Sequence, residues 1–389
     1  MNRRFPKFAV ATPARTVCDD NARVLAAHDA LRFHALGTRR GANGVPPELT
    51  RLNPAIGLAA YVFAKLTSDY YGEYWRTRLH PWFDRWVKKQ LVPGDHLISS
   101  YGYTNQSFKW VRQNGGKTFL DGGNSHIDNF WEIISEEHAR WGCKLPPIAP
   151  HWRRQAREMI AEVDYVLAPS RWVANSFLTR GFHESQIIKN VYPIDLRCFL
   201  PAEAPRPTSR PLTVICTGSL SLRKGTPYLL EAFRIIRKSV PTARLLLTRI
   251  VANSMTQILE RYRDLPIEWA PPLPHPELAK RLREADVFVL PSLEEGLART
   301  SIEALACGLP TVVTAHCGTN DLVEPGVNGE VIPIRDPDAI AQAVLKWWER
   351  IDSGNAPKIE FDRTVISFET FAKNFVGQLR ALDLLAAAS

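Results

Sequence analysis

Continuous apolar runs alternate with helical patterns through the second half of this 389-residue chain. A run such as DVFVLPS (286–292) has no polar face, whereas PYLLEAFRIIRKSV (227–240) repeats apolar residues at the spacing of an amphipathic helix. Strands that are apolar on both faces are typical of parallel sheets covered by helices on both sides. The alternation therefore predicts a doubly wound α/β domain. The predicted strands are 212–218, 243–251, 266–270, 286–292 and 310–315, and the predicted helices are 227–240, 256–265, 276–285 and 300–308.

Three residues in this half give local signals for helix ends. Thr226 and Pro227 stand where an N-cap and a first-turn proline belong, and Gly308 stands where a helix ends. We therefore expect Thr226 to cap one helix and Gly308 to follow another.

The first half of the chain has the same kind of pattern in a less regular form. Runs such as FAVATPA (8–14) and KTFLDGG (117–123) predict strands, and RWVANSFLTRG (171–181) predicts a helix. The further predicted strands are 95–103 and 163–170. A proline-rich segment without periodicity, residues 190–212, separates the halves and is typical of a linker. These features predict an N-terminal domain of residues 1–200 and a C-terminal domain of residues 201–366, with the final helix, 367–389, packing back on the first domain.

Composition places the chain among ordinary globular proteins, because 45% of its residues are apolar and 23% are charged. Its 49 lysines and arginines exceed its 40 aspartates and glutamates, which gives a net charge of +9. Such a surplus favours nucleotides, nucleic acid or an acidic membrane as partners, but it equally serves solubility. No RNA- or DNA-binding motif is legible, so a nucleic-acid partner is not expected.

Cysteine usage and hydropathy bear on the cellular compartment. The six cysteines are scattered, without a CxxC pair or a Cys/His metal spacing, which is typical of free thiols in a reducing compartment. The N-terminus lacks the apolar core of a signal peptide. The longest apolar run, AIGLAAYVFAKL (55–66), is shorter than the roughly 18 to 20 residues that a spanning helix needs. We therefore expect a cytoplasmic protein, with peripheral contact to a membrane as a further possibility.

A basic loop follows the strand of residues 212–218. Gly218 allows a tight exit from the strand, and Arg223 and Lys224 precede a helix N-terminus. In an open parallel sheet this is where ligands bind, and helix-terminal N–H groups favour a phosphate there. The loop is not a Walker motif, because Arg223 stands where that motif requires a second glycine, and the chain contains no GxGxxG. A solvated basic loop without a ligand remains the alternative.

An acidic loop follows the strand of residues 286–292. Glu295 would lie over the carboxyl edge of the sheet, Gly296 would allow the backbone to approach a ligand, and Glu303 would lie in the first turn of the next helix. Two uses of Glu303 remain open. The spacing of Thr300 and Glu303 fits a capping box, whereas a carboxylate can also accept hydrogen bonds from two sugar hydroxyls. Glu294 is predicted to be a solvated neighbour.

Several motifs in a fixed order resemble those of the nucleotide-sugar glycosyltransferases of family 4. They are GSLSLRKGTPYLLEAF (218–233), PSLEEGLARTSIEALACGLPTVV (291–313) and GTNDLVEPGVNGEVIP (318–333). The similarity extends over about residues 163–333. It implies the GT-B fold, in which two Rossmann-like α/β domains face each other across a central cleft.

The resemblance also implies roles for individual residues. Glu295 and Glu303 match the family's E-x7-E pair, so that Glu295 would contact the donor sugar and Glu303 the ribose, while Lys224 would neutralise the diphosphate. The implied catalytic residues are Glu295 and His126, and the implied donor-binding residues are Gly218, Ser219, Arg223, Lys224, Gly296, Leu297, Ala298 and Glu303. Two of these positions depart from the family pattern. Ser219 replaces a phosphate-binding arginine, for which Arg223 would substitute, and Ala298 replaces a glycine.

In the first half, the segment LDGGNSHIDNFWEIISEEHARWG (120–142) resembles a family segment whose histidine reaches into the cleft. His126 is the matching residue, whereas a generic loop histidine on the surface is the alternative. Asp121 and Asp128 are expected to be capping or solvated residues. The family's glycine-rich turn after the first strand, which lies close to the donor phosphates, is missing here.

The resemblance implies a retaining transfer of a sugar from a nucleoside-diphosphate sugar to a glycan or lipid-linked acceptor. No cofactor or metal is expected, because the chain has no DxD pattern that follows a strand. The segment CDDN (18–21) matches that pattern poorly. A non-catalytic GT-B scaffold subunit of a polysaccharide-assembly complex is the alternative, and an epimerase of similar fold is a further one.

A basic, aromatic stretch, YYGEYWRTRLHPWFDRWVKKQL (70–91), bears on the acceptor. An amphipathic helix of this composition could rest on an anionic membrane, which would suit a lipid-linked acceptor. In the alternative, its aromatic residues belong to the core and its basic residues are solvated. The basic residues concerned are Arg76, Arg78, Arg85, Lys88 and Lys89.

Overall fold

Two parallel β-sheets, of seven and six strands, follow each other along the chain. The computed structural model describes residues 6–13, 16–38, 44–66, 69–146, 149–203, 210–248, 250–353 and 359–386. The side chains of residues 60–61, 63–77, 250 and 253 also lie outside the description. The two parallel sheets confirm the prediction of two doubly wound α/β domains.

The first sheet has the strand order β3-β2-β1-β4-β5-β6-β7, and all of its neighbouring strands are parallel. Its strands are β1 (Phe8–Thr12), β2 (Leu31–Leu36), β3 (Thr50–Leu52), β4 (His96–Ser100), β5 (Thr118–Asp121), β6 (Tyr165–Ala168) and β7 (Ile187–Lys189). The helices of this half are α1 (Cys18–Ala27), α2 (Pro54–Leu66), α3 (Asp69–Lys88), α4 (Asn105–Gln113), α5 (Ile127–Arg140), α6 (Ala149–Ile160) and α7 (Arg171–Leu178).

Both faces of this sheet are covered, as the apolar strand pattern predicts. Successive residues of β1 point to opposite faces. Ala9 and Ala11 belong to one apolar cluster, while Phe8 and Val10 belong to another. The absence of a polar face in FAVAT thus follows from burial on two sides.

The second sheet has the strand order β12-β10-β8-β13-β14-β15 and is also parallel. Its strands are β8 (Thr213–Cys216), β10 (Arg244–Thr248), β12 (Ile267–Ala270), β13 (Val287–Leu290), β14 (Thr311–Thr314) and β15 (Gly329–Ile332), while β9 (Ser219–Leu220) pairs only with β11 (Ile250–Val251). The helices are α8 (Thr226–Ser239), α9 (Thr256–Glu260), α10 (His275–Glu284), α11 (Arg299–Ala306) and α12 (Pro337–Asp352).

The last helix, α13 (Phe368–Ala381), lies against the first sheet. Phe371, Phe375 and Leu379, spaced at i and i+4, join the apolar cluster that contains Phe8 and Val10. The Gln378 side chain accepts a hydrogen bond from the Lys189 N–H (3.1 Å) and donates one to the Lys189 carbonyl (2.8 Å). The exposed backbone of the edge strand β7 is thereby partly covered.

Several local predictions differ from the structure. The predicted helix 256–265 ends at Glu260, and the N-cap of α8 is Gly225 (φ 67°), so that Thr226 is its first residue. Gly308, with φ 69°, follows α11 as predicted. Strands β2, β3, β7 and β15 were not predicted, because they are short or carry polar residues within the run. Part of the predicted linker, 204–209, lies outside the described residues.

Within the described ranges, no helix has both the length and the apolar character required to cross a membrane.

Both sheets reverse their strand order beside their first strand, at β1/β4 and at β8/β13. The loops that follow the carboxyl ends of two such strands run to opposite faces of the sheet, so that a crevice forms between them. Ligands bind in this crevice in open α/β sheets. In the second sheet these are the basic loop after β8 and the acidic loop after β13. The topology therefore brings together the two loops that the sequence singled out.

Candidate functional site

The loops after β8 and β13 are joined by backbone contacts. The Leu293 N–H donates to the Arg223 carbonyl at 2.8 Å. Gly225 has φ 67°, and a Cβ there would overlap the Pro291 carbonyl oxygen. Glycine is required at this position for both reasons, so the junction depends on a residue without a side chain.

Glu295 is held by the segment that follows β14 and by both cations. Its N–H donates to the His316 carbonyl at 3.0 Å, and its carbonyl accepts from the Gly318 N–H at 2.9 Å. Its carboxylate accepts hydrogen bonds from Lys224 Nζ and, at 2.9 Å, from Arg223 Nη1. Burial alone would raise the pKa of Glu295, but the two positive charges outweigh it and hold the pKa below its ordinary value. Glu295 is therefore an ionised carboxylate at neutral pH.

The prediction that Glu294 is a solvated residue was wrong. Its side chain is 0% exposed. One carboxylate oxygen accepts from the Ser125 N–H at 2.9 Å, and the other lies 3.5 Å from Arg223 Nη1. Burial raises the pKa of Glu294, opposed by the charge of Arg223 and by the Ser125 bond. Residue type and spacing gave no signal for this contact, because Ser125 belongs to the other domain.

Arg223 connects the two loops. Besides its bonds to the carboxylates, its Nη1 donates to the Glu294 carbonyl at 2.8 Å. The same guanidinium nitrogen thus faces the main chain of Glu294 and both carboxylates. This positive charge is committed to the acidic loop, whereas Lys224 pairs with no carboxylate other than Glu295 among the residues that the structure describes.

Glu303 has a different environment. It is 5% exposed, and among the described residues no hydrogen bond or ion pair of its carboxylate is found. The capping-box interpretation was wrong, because α11 begins at Arg299 with Ala298 as its N-cap, and that cap makes no side-chain hydrogen bond. Burial raises the pKa of Glu303 to about 7, opposed by the charge of Arg299. This carboxylate is therefore available to a ligand.

Two further polar groups at this edge are buried and have no hydrogen-bond partner among the described residues. They are Thr217 Oγ1, directly after β8, and Ser292 Oγ, close after β13. Buried polar side chains are nearly always paired in folded proteins. Their position at the carboxyl edge, together with Glu303, is typical of a site for a polar ligand.

The remaining predicted residues line the same loops. Gly218 (φ 111°) leaves β8, and its N–H donates to Thr248 Oγ1 at 2.9 Å. Ser219 is exposed in β9, and Leu297 and Ala298 are buried just before α11. The loops after β8 and β13 thus contain all eight predicted donor-binding residues except Glu303, which lies on α11.

His126 belongs to the first domain and caps α5. Its Nδ1 accepts a hydrogen bond from the Asp128 N–H at 3.2 Å, and its own N–H donates to Ser176 Oγ at 2.8 Å. The ring is buried and packs edge-on against Phe177 at 5.2 Å. Burial lowers the pKa of His126, so the ring is neutral at pH 7. Because Nδ1 accepts, the ring proton is on Nε2, which can donate.

The loop before His126 touches the acidic loop of the second domain. A Cβ on Gly296 would overlap the Gly123 carbonyl oxygen. Ser170 Oγ, also in the first domain, donates to the Gly296 carbonyl at 2.6 Å. The predicted residues of the two domains are therefore brought to one place.

The prediction that Asp121 is a capping or solvated residue was wrong. It is buried at the end of β5 and accepts from Cys18 Sγ and from the Tyr192 hydroxyl, each at 3.1 Å. Burial raises the pKa of Asp121 to about 6. Asp128 binds Arg153 Nε at 2.9 Å and Arg157 Nε at 2.7 Å.

Sequence reasoning also missed a contact across the cleft between the first turns of α1 and α11. Arg299 Nη2 donates to Asp20 Oδ2 at 2.7 Å. Within the described part of the chain, no group of three or more His, Cys, Asp or Glu residues is arranged to hold a metal ion.

Comparisons with known proteins support this organisation. Residues 211–350 match the family model described as Glycosyl transferases group 1. Over 214 residues the chain is 28% identical to a putative colanic acid biosynthesis glycosyltransferase, WcaL, of Salmonella typhimurium, covering 53% of this chain and 52% of that protein. It is also 28% identical to a GDP-mannose-dependent alpha-(1-6)-phosphatidylinositol monomannoside mannosyltransferase of Mycolicibacterium smegmatis, over 54% of this chain and 59% of the relative. The chain thus spans about half the length of the curated relatives it matches.

The likeness in fold extends over the whole chain. Sucrose-phosphate synthase from Thermosynechococcus elongatus superposes with a TM-score of 0.66 at 18% identity, covering 98% of this chain and 99% of that one. This similarity confirms the GT-B fold.

The buried, unpaired Glu303 generates a prediction about stability. Its pKa is about 7 in the folded protein against 4.5 for an ordinary glutamate, so folding favours its protonated form. The stabilising effect of protonation is complete below pH 4.5 and is lost as the pH rises through 7. At pH 8.5 the ionised, buried carboxylate should destabilise the ligand-free protein by about 2 to 3 kcal/mol.

We expect Glu303→Gln to raise the free energy of unfolding at pH 8.5 and to lose that advantage progressively below pH 7. Urea denaturation across this pH range measures it, with the exposed Glu324→Gln as the matched control. An equal effect of both substitutions at every pH would contradict the assignment.

Proposed function

We propose that this chain, with its GT-B fold and its group 1 glycosyltransferase match at residues 211–350, is a retaining glycosyltransferase of family 4. It would transfer a sugar from a nucleoside-diphosphate sugar to a glycan or lipid-linked acceptor in polysaccharide or glycoconjugate biosynthesis. The observation that carries the proposal is the pairing of Lys224 with Glu295 at the β8/β13 switch point, just before the helix that bears Glu303.

Glu303 is the proposed ligand of the nucleotide ribose. A buried carboxylate without a protein partner can accept hydrogen bonds from two neighbouring hydroxyls, each worth about 1.5 to 3 kcal/mol when the acceptor is charged. Its position on α11, one turn beyond the loop after β13, supports a ligand that lies along the carboxyl edge of the sheet.

Lys224 and the N-terminus of α11 are the proposed diphosphate site. The first turn of α11 has no side-chain cap, so the N–H groups of Arg299 and Thr300, its first two residues, are available to phosphate oxygens. Lys224 adds a positive charge beside them. When the sugar–phosphate bond breaks, the negative charge that develops on the leaving diphosphate would be stabilised by these groups.

Glu295 and His126 are the proposed groups at the sugar. Glu295 is ionised and rigidly held, which suits a carboxylate that orients sugar hydroxyls and stabilises a cationic ring. His126 is neutral with its proton on Nε2, which suits a hydrogen-bond donor from the other domain. We assign no covalent nucleophile.

The names of the relatives support the substrate classes. WcaL is described as a colanic acid biosynthesis enzyme, and the mannosyltransferase as dependent on GDP-mannose with a phosphatidylinositol monomannoside acceptor. A polysaccharide or glycolipid acceptor and a nucleoside-diphosphate sugar donor are therefore proposed for this chain as well. No observation favours the non-catalytic scaffold.

Peripheral contact with the inner face of a membrane is part of the proposal. Arg78, Trp82 and Arg85 on α3 and Lys89 directly after it are exposed at a spacing of three to four residues, which places them on one face. Trp82 is 67% exposed, with the Arg85 guanidinium 6.0 Å from its ring. Cations around an exposed tryptophan suit an anionic bilayer surface. The opposite face belongs to the core, since Phe83 and Val87 are buried, and Arg76 lies outside the described side chains.

Lys224→Ala and Glu303→Ala should each lower kcat/KM for sugar transfer by at least about a hundredfold, because each removes a charged contact to the donor. Radiolabelled or mass-spectrometric product assays with a panel of nucleotide sugars measure this. Lys238→Ala and Glu324→Ala, at exposed positions of the same domain, are matched controls and should transfer normally. Full activity of both site variants would contradict the assignment.

Transfer should not require a divalent metal, because Lys224 and the helix-terminal N–H groups take the place of a metal at the diphosphate. We expect the rate to change less than about twofold after dialysis against EDTA. Loss of activity on chelation, with recovery on adding Mg²⁺ or Mn²⁺, would show that a metal takes part.

The membrane contact predicts binding to anionic vesicles. The wild-type chain should cosediment with phosphatidylglycerol-containing liposomes at low salt, and Trp82→Ala with Lys89→Glu should weaken binding by at least about tenfold, since each nearby cation contributes about 1 kcal/mol. Lys238→Glu, in the second domain, is the matched control. Equal binding of the control and the double variant, or none by the wild type, would exclude this surface.

A further inference from the structure

Two residues of the acidic loop, Glu294 and Gly296, touch the first domain. Glu294 accepts from the Ser125 N–H at 2.9 Å, and Gly296 lies so close to Gly123 that a Cβ would overlap its carbonyl. Ser170 Oγ donates to the Gly296 carbonyl at 2.6 Å. The loop after β13 is therefore fitted against the loop that precedes His126.

Within this contact, Glu294 is the charged member and is fully buried. A carboxylate without solvent requires hydrogen bonds or a countercharge, because an unpaired buried charge is strongly destabilising. Glu294 obtains the first from Ser125 in one domain and the second from Arg223 in the other, at 3.5 Å. One carboxylate oxygen of Glu294 thus contacts the first domain, and the other contacts the second.

The neighbours of these partners are the residues proposed to carry the reaction. Ser125 directly precedes His126, Arg223 directly precedes Lys224, and Glu294 itself precedes Glu295. A shift of Glu294 would therefore displace the two sides of the cleft relative to each other. A displacement of about 1 Å between reacting groups can lower a rate by about a hundredfold.

We propose that Glu294 is a positioning residue, which fixes the His126 loop of the first domain in register with the Arg223–Lys224 loop of the second. The inference rests on the proposed glycosyltransferase function. Glu294 does not contact the donor in this role. It acts through the Ser125 N–H and the Arg223 guanidinium, and its removal leaves the ion pair of Lys224 with Glu295 and the place of Glu303 on α11.

Two substitutions separate the hydrogen bond from the charge. Glu294→Gln keeps an oxygen that can accept from the Ser125 N–H, but it removes the charge opposite Arg223. Glu294→Ala removes both. Glu324→Ala, at an exposed glutamate of the same domain, is the control, and thermal unfolding checks that each variant is folded.

The first measurement is hydrogen exchange of the peptide that contains Ser125, which needs no substrate. We expect slow exchange in the wild type and in Glu294→Gln, and exchange at least about tenfold faster in Glu294→Ala. Equal protection of the Ser125 amide in all three proteins would overturn the proposal, since the bond would not hold the loop.

The second measurement compares sugar transfer with donor hydrolysis. In Glu294→Ala we expect transfer to fall about a hundredfold, the donor KM to change less than about threefold, and the ratio of transfer to hydrolysis to fall at least about tenfold. Glu294→Gln should restore most of this ratio. A merely structural role would reduce the amount of active protein and lower both rates by the same factor, and that result would overturn the proposal.

Failure of the proposed function has a different outcome. A wild-type chain that neither transfers nor hydrolyses any nucleotide sugar would contradict the glycosyltransferase assignment. Hydrogen exchange would then still decide whether Glu294 couples the two loops.

Discussion

The structure around the cleft depends on one buried charge cluster, in which Arg223 and Lys224 face Glu294 and Glu295. Each of these charges would be destabilising alone in a buried position, and together they neutralise one another. Because Arg223 Nη1 also binds the Glu294 carbonyl, the cluster fixes the main chain of the acidic loop as well as its side chains. The direction of Glu295, the approach of Gly296 to the first domain and the place of Lys224 all follow from it.

A second buried carboxylate, that of Glu137 on α5, joins the domains about three turns beyond His126. Glu137 is 0% exposed and accepts from the Tyr228 hydroxyl at 2.7 Å, from Arg335 Nε at 2.7 Å and from Trp141 Nε1 at 2.8 Å. The helix that begins after His126 is thus attached to the second domain near both ends. Separating the domains would break the Ser125 bond of Glu294 and the Tyr228 and Arg335 bonds of Glu137, and hydrogen bonds to charged groups contribute about 1.5 to 3 kcal/mol each. The closed arrangement is stabilised by the same kind of group at each end.

The fold could be predicted from sequence to the extent that its elements bury both faces. Strands such as β8 and β13 are continuous apolar runs, and the loops after them could be placed at one sheet edge. Strand β3 and the hydrogen bonds between β7 and Gln378 could not be predicted, because they depend on residues far along the chain. The residues of the site can likewise be divided into those that the sequence predicted and those that it did not. Motif spacing indicated Glu295 and Glu303, whereas Glu294 and Asp121 were misjudged, since their burial is produced by the Ser125 N–H and by the Tyr192 hydroxyl.

The three carboxylates in and after the acidic loop, those of Glu294, Glu295 and Glu303, have distinct physical roles although they belong to the same residue type. Glu294 and Glu295 are both satisfied by protein groups, and the lowered pKa of Glu295 means that its charge stabilises the ligand-free arrangement. Glu303, with a pKa near 7 and no partner among the described residues, does not. Destabilising groups of this kind are typical of functional sites, where activity is retained at a cost in stability. The unpaired state of Glu303 is therefore a stronger argument for a polar ligand than the neighbouring ion pairs, which are already explained by the fold.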